Sequence, residues 1–152
     1  MHQRKERGLI EKYFHYLFTE YAFSFSEIKY FQDFSNWLAV LTATECRLLF
    51  IEDRGSILLS VGPPWNPSNW EAGHWFGIEI VIAYLNNGIF PWYYWNQMGP
   101  AEPQLEKLSE IIRPYMAQIC ALFSPKVYTE TEPKLYQLAK KRDEYLRSGK
   151  HS

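Results

Sequence analysis

Residues 45–63, with the sequence ECRLLFIEDRGSILLSVGP, decide the fold of this chain. Two runs rich in branched and aromatic side chains, 47–51 and 57–61, flank the polar segment 52–55. Such runs, with a glycine available for a positive φ in a short connection, predict a β-hairpin. Both strands carry apolar residues on both faces, so the hairpin is expected within a sheet that is covered on at least one side.

The sequence before the hairpin predicts one helix and two further strands. Over residues 4–21, apolar side chains recur every three or four positions, the spacing of an amphipathic helix. The pattern then alternates, and its parity changes near Ser26 and Glu27, which indicates a β-bulge or the end of a strand. Residues 37–44 are rich in β-forming side chains. Together these segments predict a three- to four-stranded antiparallel meander.

Three helices are predicted after the hairpin. Residues 63–69 form a proline-rich loop, and the apolar spacing of 70–87 predicts the first helix. The second helix is predicted over 102–123 with a kink at Pro114, and the third runs from about 131 to 147. We therefore predict a single α+β domain: an N-terminal helix, the antiparallel meander, and three helices packed on the sheet.

Charge is unevenly distributed along the chain, although the formal net charge is only −1. Residues 13–133 carry six Lys or Arg and thirteen Asp or Glu, whereas both ends are basic. An acidic body argues against nucleic-acid binding and favours a basic protein partner. The basic ends, with frayed residues at 1–5 and 148–152, are interpreted as solvated helix faces; a weak phosphate or membrane patch is the alternative.

The two cysteines, Cys46 and Cys120, lie far apart in the sequence and form no CxxC motif. Buried free thiols are the expected interpretation, and they indicate a reducing compartment. The charged start is not followed by a long apolar stretch, and the apolar run at 78–85 contains Glu79 and is too short to span a bilayer. We therefore expect a cytoplasmic protein without membrane association.

The histidines suggest no metal site or cofactor, because none has a second His or Cys at ligand spacing. His15 lies beside the apolar stripe of the first helix and is interpreted as a helix-face residue. His74 follows Glu71 in an aromatic-rich region. It would act as a general base only with a partner at hydrogen-bond distance.

The polar tip of the hairpin, 52–55, has two interpretations. Glu52, Asp53 and Arg54 form an acid–base cluster, or they are turn residues that keep the tip in water. No nucleophile motif or phosphate-binding motif accompanies them.

Aromatic residues are concentrated between positions 65 and 95, where five of the six tryptophans lie. Trp75 and Phe76 are interpreted as core residues, whereas the other tryptophans lie in loops among Pro, Asn and Gly. Loop tryptophans and tyrosines suit a protein-binding surface, and they equally suit a stacking pocket for a small ligand. The predicted binding residues are Trp65, Trp70, Glu71, His74, Trp92, Tyr94, Trp95, Asp53 and Arg54.

Around the hairpin the sequence resembles small bacterial immunity proteins, which are encoded beside polymorphic or contact-dependent toxins. The resemblance covers about residues 9–87 and rests on EDRG at 52–55 and VGPPW at 61–65, followed by Trp70 and Trp75. It implies a cytosolic, non-enzymatic inhibitor that binds and masks a toxin domain.

A second hypothesis remains open beside this resemblance. The chain would bind a small ligand, or act as an enzyme, through an aromatic pocket near His74 and Glu71. A closed apolar pocket with convergent polar groups would favour this hypothesis. A convex acidic surface with exposed rings would favour the inhibitor.

Overall fold

The structure is a computed structural model, and the residues it describes are 2–31, 36–67, 73–90 and 99–147. Two helices precede an antiparallel sheet, and further helices follow it. The α+β prediction is therefore confirmed. The elements are α1 (His2–Tyr13), α2 (His15–Glu20), β1 (Ser24–Tyr30), β2 (Trp37–Thr42), β3 (Arg47–Asp53), β4 (Ser56–Gly62), β5 (Phe76–Gly77), α3 (Ile78–Leu85), α4 (Ala101–Ile112), a 3-10 turn (Arg113–Tyr115), α5 (Met116–Phe123) and α6 (Pro125–Arg147).

The predicted hairpin is confirmed as the pair β3–β4, in which Phe50 lies opposite Leu59. Its connection consists of Arg54 (φ 53°) and Gly55 (φ 88°). Two positive φ angles are the pattern of a type I′ turn, whose twist matches that of the strands it joins. This local geometry sets the register of the sheet at its centre.

The sheet is a meander in which every strand pairs with its neighbour in sequence, in the order β1-β2-β3-β4-β5. The predicted bulge is confirmed, because the register of β1 against β2 shifts between Phe25 and Glu27. The predicted strand 37–44 ends earlier, at Thr42. The next residues form a turn in which the Ala43 N–H donates to the Cys46 carbonyl at 3.0 Å.

One face of the sheet carries the main core. Alternate strand residues on that face meet α1–α5, and the Phe14 ring packs edge-on against Phe50 at 5.0 Å. The predicted first helix is interrupted by a tight turn at Phe14, which separates α1 from α2. The predicted apolar stripe of 102–123 is buried at Leu105, Leu108, Ile112 and Ile119, and half-buried at Tyr115 and Leu122.

The prediction of a helix over 70–87 is wrong for its described first residues, and 70–72 lie outside the described residues. Phe76 and Gly77 instead form the short strand β5, which pairs with β4. Gly77 adopts an extended backbone (φ −56°, ψ 144°), as its poor helix propensity allows. The predicted stop is confirmed: Asn87 has a φ of 57°, and the Gly88 N–H donates to the Ala83 carbonyl at 2.6 Å.

Prolines mark both C-terminal helices. The helix predicted over 102–123 with a kink at Pro114 is divided at that proline: a 3-10 turn, Arg113–Tyr115, separates α4 from α5. The predicted start of the last helix is wrong, because α6 begins at Pro125 and continues through Pro133. Tyr128 and Leu135, which lie on either side of Pro133, are buried. Their packing favours a continuous helix across this proline. Among the described residues, no helix is both long enough and apolar enough to cross a membrane.

Candidate functional site

The structure describes four of the nine predicted binding residues; Trp70, Glu71, Trp92, Tyr94 and Trp95 lie outside the described residues. Trp65 and His74 come together against α6 through their contacts with Tyr128 and Tyr136. Asp53 and Arg54 lie at the tip of the β3–β4 hairpin. Since β4 separates that tip from the loop that carries Trp65, a strand length of roughly 20 Å lies between the two groups.

An exposed aromatic patch lies where the loop after β4 meets α6. We define the aromatic patch as Trp65, His74, Tyr128, Glu132 and Tyr136. Trp65 is 55% exposed, and its ring meets Tyr128 edge-on with centroids 5.6 Å apart. Tyr128 in turn stacks on the buried Phe123 at 5.5 Å. The exposed indole therefore rests on the core rather than on a loop alone.

A buried asparagine positions both loop residues of the aromatic patch. Asn66 is 2% exposed, and its Nδ2 donates to the His74 carbonyl at 2.9 Å while its Oδ1 accepts from the His74 N–H at 3.0 Å. The Arg47 guanidinium donates to the Asn66 carbonyl. A Cβ at Gly62 would clash with Asn66 Nδ2 and would lie 3.0 Å from the His74 carbonyl oxygen, so this close approach requires glycine. We call the paired bonds between Asn66 and His74 the Asn66 clamp.

The His74 ring has the hydrogen-bond partners that a general base would need. Its Nδ1 lies 3.0 Å from Glu132 Oε2 and 3.1 Å from Tyr136 Oη, and the Tyr128 hydroxyl donates to Glu132 at 2.8 Å. The His74 side chain is nevertheless 51% exposed. These contacts hold the imidazole in one orientation on an open surface.

The two tyrosines of the aromatic patch are neutral hydrogen-bonding groups. Burial, together with the bond to Glu132, raises the pKa of Tyr128 far above its usual value. Burial also raises the pKa of Tyr136, and the Glu132 carboxylate adds to that effect. Neither phenol ionises near neutral pH. The exposed part of the aromatic patch therefore consists of the Trp65 and Tyr136 rings, the Tyr136 hydroxyl, the imidazole and one carboxylate.

At the hairpin tip, the residues hold the turn together. Arg54 Nε lies 3.9 Å from Asp53 Oδ1, and both side chains are mostly exposed. The Arg54 N–H donates to Asn36 Oδ1 at 3.0 Å, and Glu52 accepts from the Trp37 indole at 2.7 Å. An exposed ion pair of this kind contributes little to stability. The arrangement agrees with the interpretation of these residues as a solvated turn.

A cleft of about 410 Å³ lies on the sheet face opposite the main core. Trp75 reaches this face, where it packs on a small cluster that contains Leu38 and Leu49, whereas Phe76 is buried in the main core. The core interpretation is therefore confirmed for Phe76, while Trp75 is half-buried on the opposite face. The lining residues are Phe31, Asn36, Ile51, Glu52, Asp53, Leu58, Ser60 and Trp75.

Sequence reasoning missed the α6 contribution to the aromatic patch. Tyr128, Glu132 and Tyr136 follow one another at intervals of four, which places them on one helix face. This spacing is visible in the sequence, but the last helix is predicted to begin at 131, which leaves Tyr128 outside it. Nothing in the sequence links this face to His74, because Tyr136 lies 62 positions further along the chain.

Neither a metal site among the described residues nor similarity to a known protein assigns a role to the aromatic patch. In the part of the chain that the structure describes, no three or more His, Cys, Asp or Glu side chains are placed to hold a metal ion. Comparisons with protein-family models, with curated proteins and with solved structures find no match. The function must therefore be argued from the aromatic patch and the cleft themselves.

Proposed function

We propose that this chain is a cytoplasmic, non-enzymatic protein-binding protein, an immunity-type inhibitor that neutralises a bacterial toxin domain through its aromatic patch. The observation that carries the proposal is Trp65, a 55% exposed indole supported edge-on by Tyr128. Tryptophan is among the side chains that most often contribute a large share of the binding free energy at a protein interface.

The surroundings of Trp65 suit a protein partner. Tyr136 is 49% exposed, so a second large aromatic ring lies on α6 beside His74. The Asn66 clamp orders the loop before binding, which lowers the entropy cost of association. Glu132 and the acidic residues of 13–133 complement a basic partner and would speed its approach.

The resemblance to immunity proteins gives independent support. The segment 61–65, which carries part of that resemblance, leads directly from β4 to Trp65. The other part, 52–55, forms the hairpin turn. The proposal therefore combines a motif-level likeness with a surface that has the chemistry of an interface.

The cleft supports a second candidate function, the binding of a small apolar ligand. Its volume of about 410 Å³ lies within the range of small-molecule sites, roughly 300–1,000 Å³. Trp75 and Leu58 supply apolar walls, and Asp53 adds a carboxylate to the lining. A ligand seated there would change the fluorescence of Trp75, and Leu58→Arg would remove the change. Because the aromatic patch shares no residue with the cleft, Trp65→Ala would leave it unaltered.

The test of the main proposal is a kinetic binding measurement against the toxin-like domain encoded next to this gene. Trp65→Ala should accelerate dissociation about 30-fold, which corresponds to the roughly 2 kcal/mol of an interface hot spot. Ile89→Ala is the matched control, because Ile89 is 65% exposed and lies outside the aromatic patch. If Trp65→Ala dissociates at the rate of the parent, or if both variants change the rate equally, the interface lies elsewhere.

A further inference from the structure

The two cysteines, which are remote in sequence, meet in the core. Both are free thiols, and Cys46 Sγ lies 3.7 Å from Cys120 Sγ. Cys46 precedes β3 and is fully buried, whereas Cys120 lies on α5 and is 8% exposed. The expectation of buried free thiols is confirmed, but the two thiols form a pair.

The distance between the two sulfurs allows a covalent bond after a small movement. A disulfide has a sulfur–sulfur distance of about 2.05 Å, so the two atoms must approach by roughly 1.7 Å. Neither residue lies within a paired strand: Cys46 closes the turn after β2, and Cys120 is near the C-terminal end of α5. Bond formation therefore requires side-chain rotation and a movement of that turn or of α5, and it breaks no bond between paired strands.

The two thiols are not chemically equivalent. Their mutual hydrogen bond lowers the pKa of Cys120, whereas the same bond and burial raise the pKa of Cys46. Cys120 is also the one with some exposure to solvent. We therefore expect Cys120 to react first with an oxidant. Its lower pKa favours the thiolate, which is the reactive form, and its exposure gives the oxidant access. Its small exposed fraction favours a small oxidant.

We propose that Cys46 and Cys120 form an oxidative modification site, at which hydrogen peroxide or another small hydroperoxide generates a disulfide between the β2–β3 turn and α5. The Cys120 sulfur attacks the terminal peroxide oxygen, the O–O bond breaks, and an alcohol or water leaves with a proton. Cys46 then attacks the resulting sulfenic sulfur, the S–O bond breaks, and water leaves. In total the two thiols lose two protons and two electrons, and the hydroperoxide is reduced to water and an alcohol or, for hydrogen peroxide, to two waters.

The disulfide would link two parts of the core that the chain connects only through 74 positions of sequence. Closing a loop of this length restricts the unfolded chain and stabilises the folded protein. It would also fix α5, whose last residue Phe123 supports Tyr128 of the aromatic patch. The proposal does not depend on the proposed inhibitor function.

The experiment treats the full, reduced chain with hydrogen peroxide and measures its intact mass without reductant. We expect the loss of two hydrogens per chain, a cross-linked peptide pair containing Cys46 and Cys120, and a melting temperature raised by several degrees. Reduction with dithiothreitol should reverse all three. Unchanged mass, addition of oxygen without a cross-link, or disulfides between chains would overturn the proposal.

Two variants test the order of the chemistry. In Cys46→Ser, a sulfenic-acid probe such as dimedone should label Cys120, whereas Cys120→Ser should remain largely unlabelled. Equal labelling of both variants would contradict the assigned order. The mass measurement on the parental chain decides the existence of the site even when a variant folds poorly.

Discussion

Replacement of Asn66 by alanine should destabilise the protein by about 2 kcal/mol, because the Asn66 clamp contributes two hydrogen bonds at roughly 1 kcal/mol each. Asn66 is 2% exposed, so its own amide gains nothing from solvent in the folded state. The two bonds that join Asn66 to the His74 backbone are only partly buried, so water can partly replace them. This access keeps the expected loss near the sum of the two bonds.

The assay is urea unfolding followed by fluorescence, with the midpoint and slope compared between variants. Asn36→Ala is the matched control, since the Asn36 side chain accepts a single bond, from the Arg54 N–H, and is half-buried. It should lose about 1 kcal/mol or less. A third variant, Asn66→Asp, retains the acceptor for the His74 N–H but places a carboxylate against the His74 carbonyl. It should be no more stable than Asn66→Ala.

Equal losses of unfolding free energy for Asn66→Ala and Asn36→Ala would refute this reasoning. The two bonds of the Asn66 clamp would then contribute no more than the single bond between Asn36 and the Arg54 N–H. A changed slope would show instead that the variant altered the denatured or native ensemble.

Three further predictions follow from the core, the hairpin turn and the buried phenols. Ile112→Ala, at a fully buried site, should cost about 2–4 kcal/mol in urea unfolding, whereas Val127→Ala on the surface should stay within about 0.5 kcal/mol; equal costs would show that Ile112 does not face the core. Gly55→Ala should cost about 1–2 kcal/mol in the same assay, because its φ of 88° disfavours a side chain; an unchanged midpoint would contradict the type I′ turn. Stability should fall as the pH rises above about 10, since unfolded tyrosines release their protons there while burial raises the folded pKa of Tyr16 and Tyr128. Unfolding measured between pH 8 and 11 should show a smaller loss for Tyr128→Phe than for the parent, and identical losses would refute the linkage.

The parts of the fold that were predictable depend on local patterns. The hairpin has two β-rich runs and a glycine at a two-residue turn, and the bulge near Ser26 and Glu27 changes the parity of a period-two pattern. The strand β5 was not predictable in this way, because Phe76 and Gly77 are too few to show a period. Likewise, α6 continues through Pro133 because tertiary packing on both sides outweighs local propensity.

The candidate site was predictable only in part, because tertiary contacts rather than local patterns bring its residues together. A single sequence identifies Trp65 and His74 as unusual loop residues, yet it does not show which helix lies beneath them. Glu132 and Tyr136 join His74 through tertiary contacts that no short-range pattern encodes. The pairing of Cys46 with Cys120 is hidden from sequence analysis for the same reason.

The meander order of the sheet has a consequence for synthesis on the ribosome. Every strand pairs with its neighbour in sequence, and the strands lie between residues 24 and 77. The helices α4 and α5, which cover part of the apolar face, end only at residue 123. At 5–20 residues per second the ribosome needs roughly 2–9 s for that interval. During this time part of the sheet is exposed to other nascent chains, so chaperone binding to the emerging polypeptide would be most beneficial then.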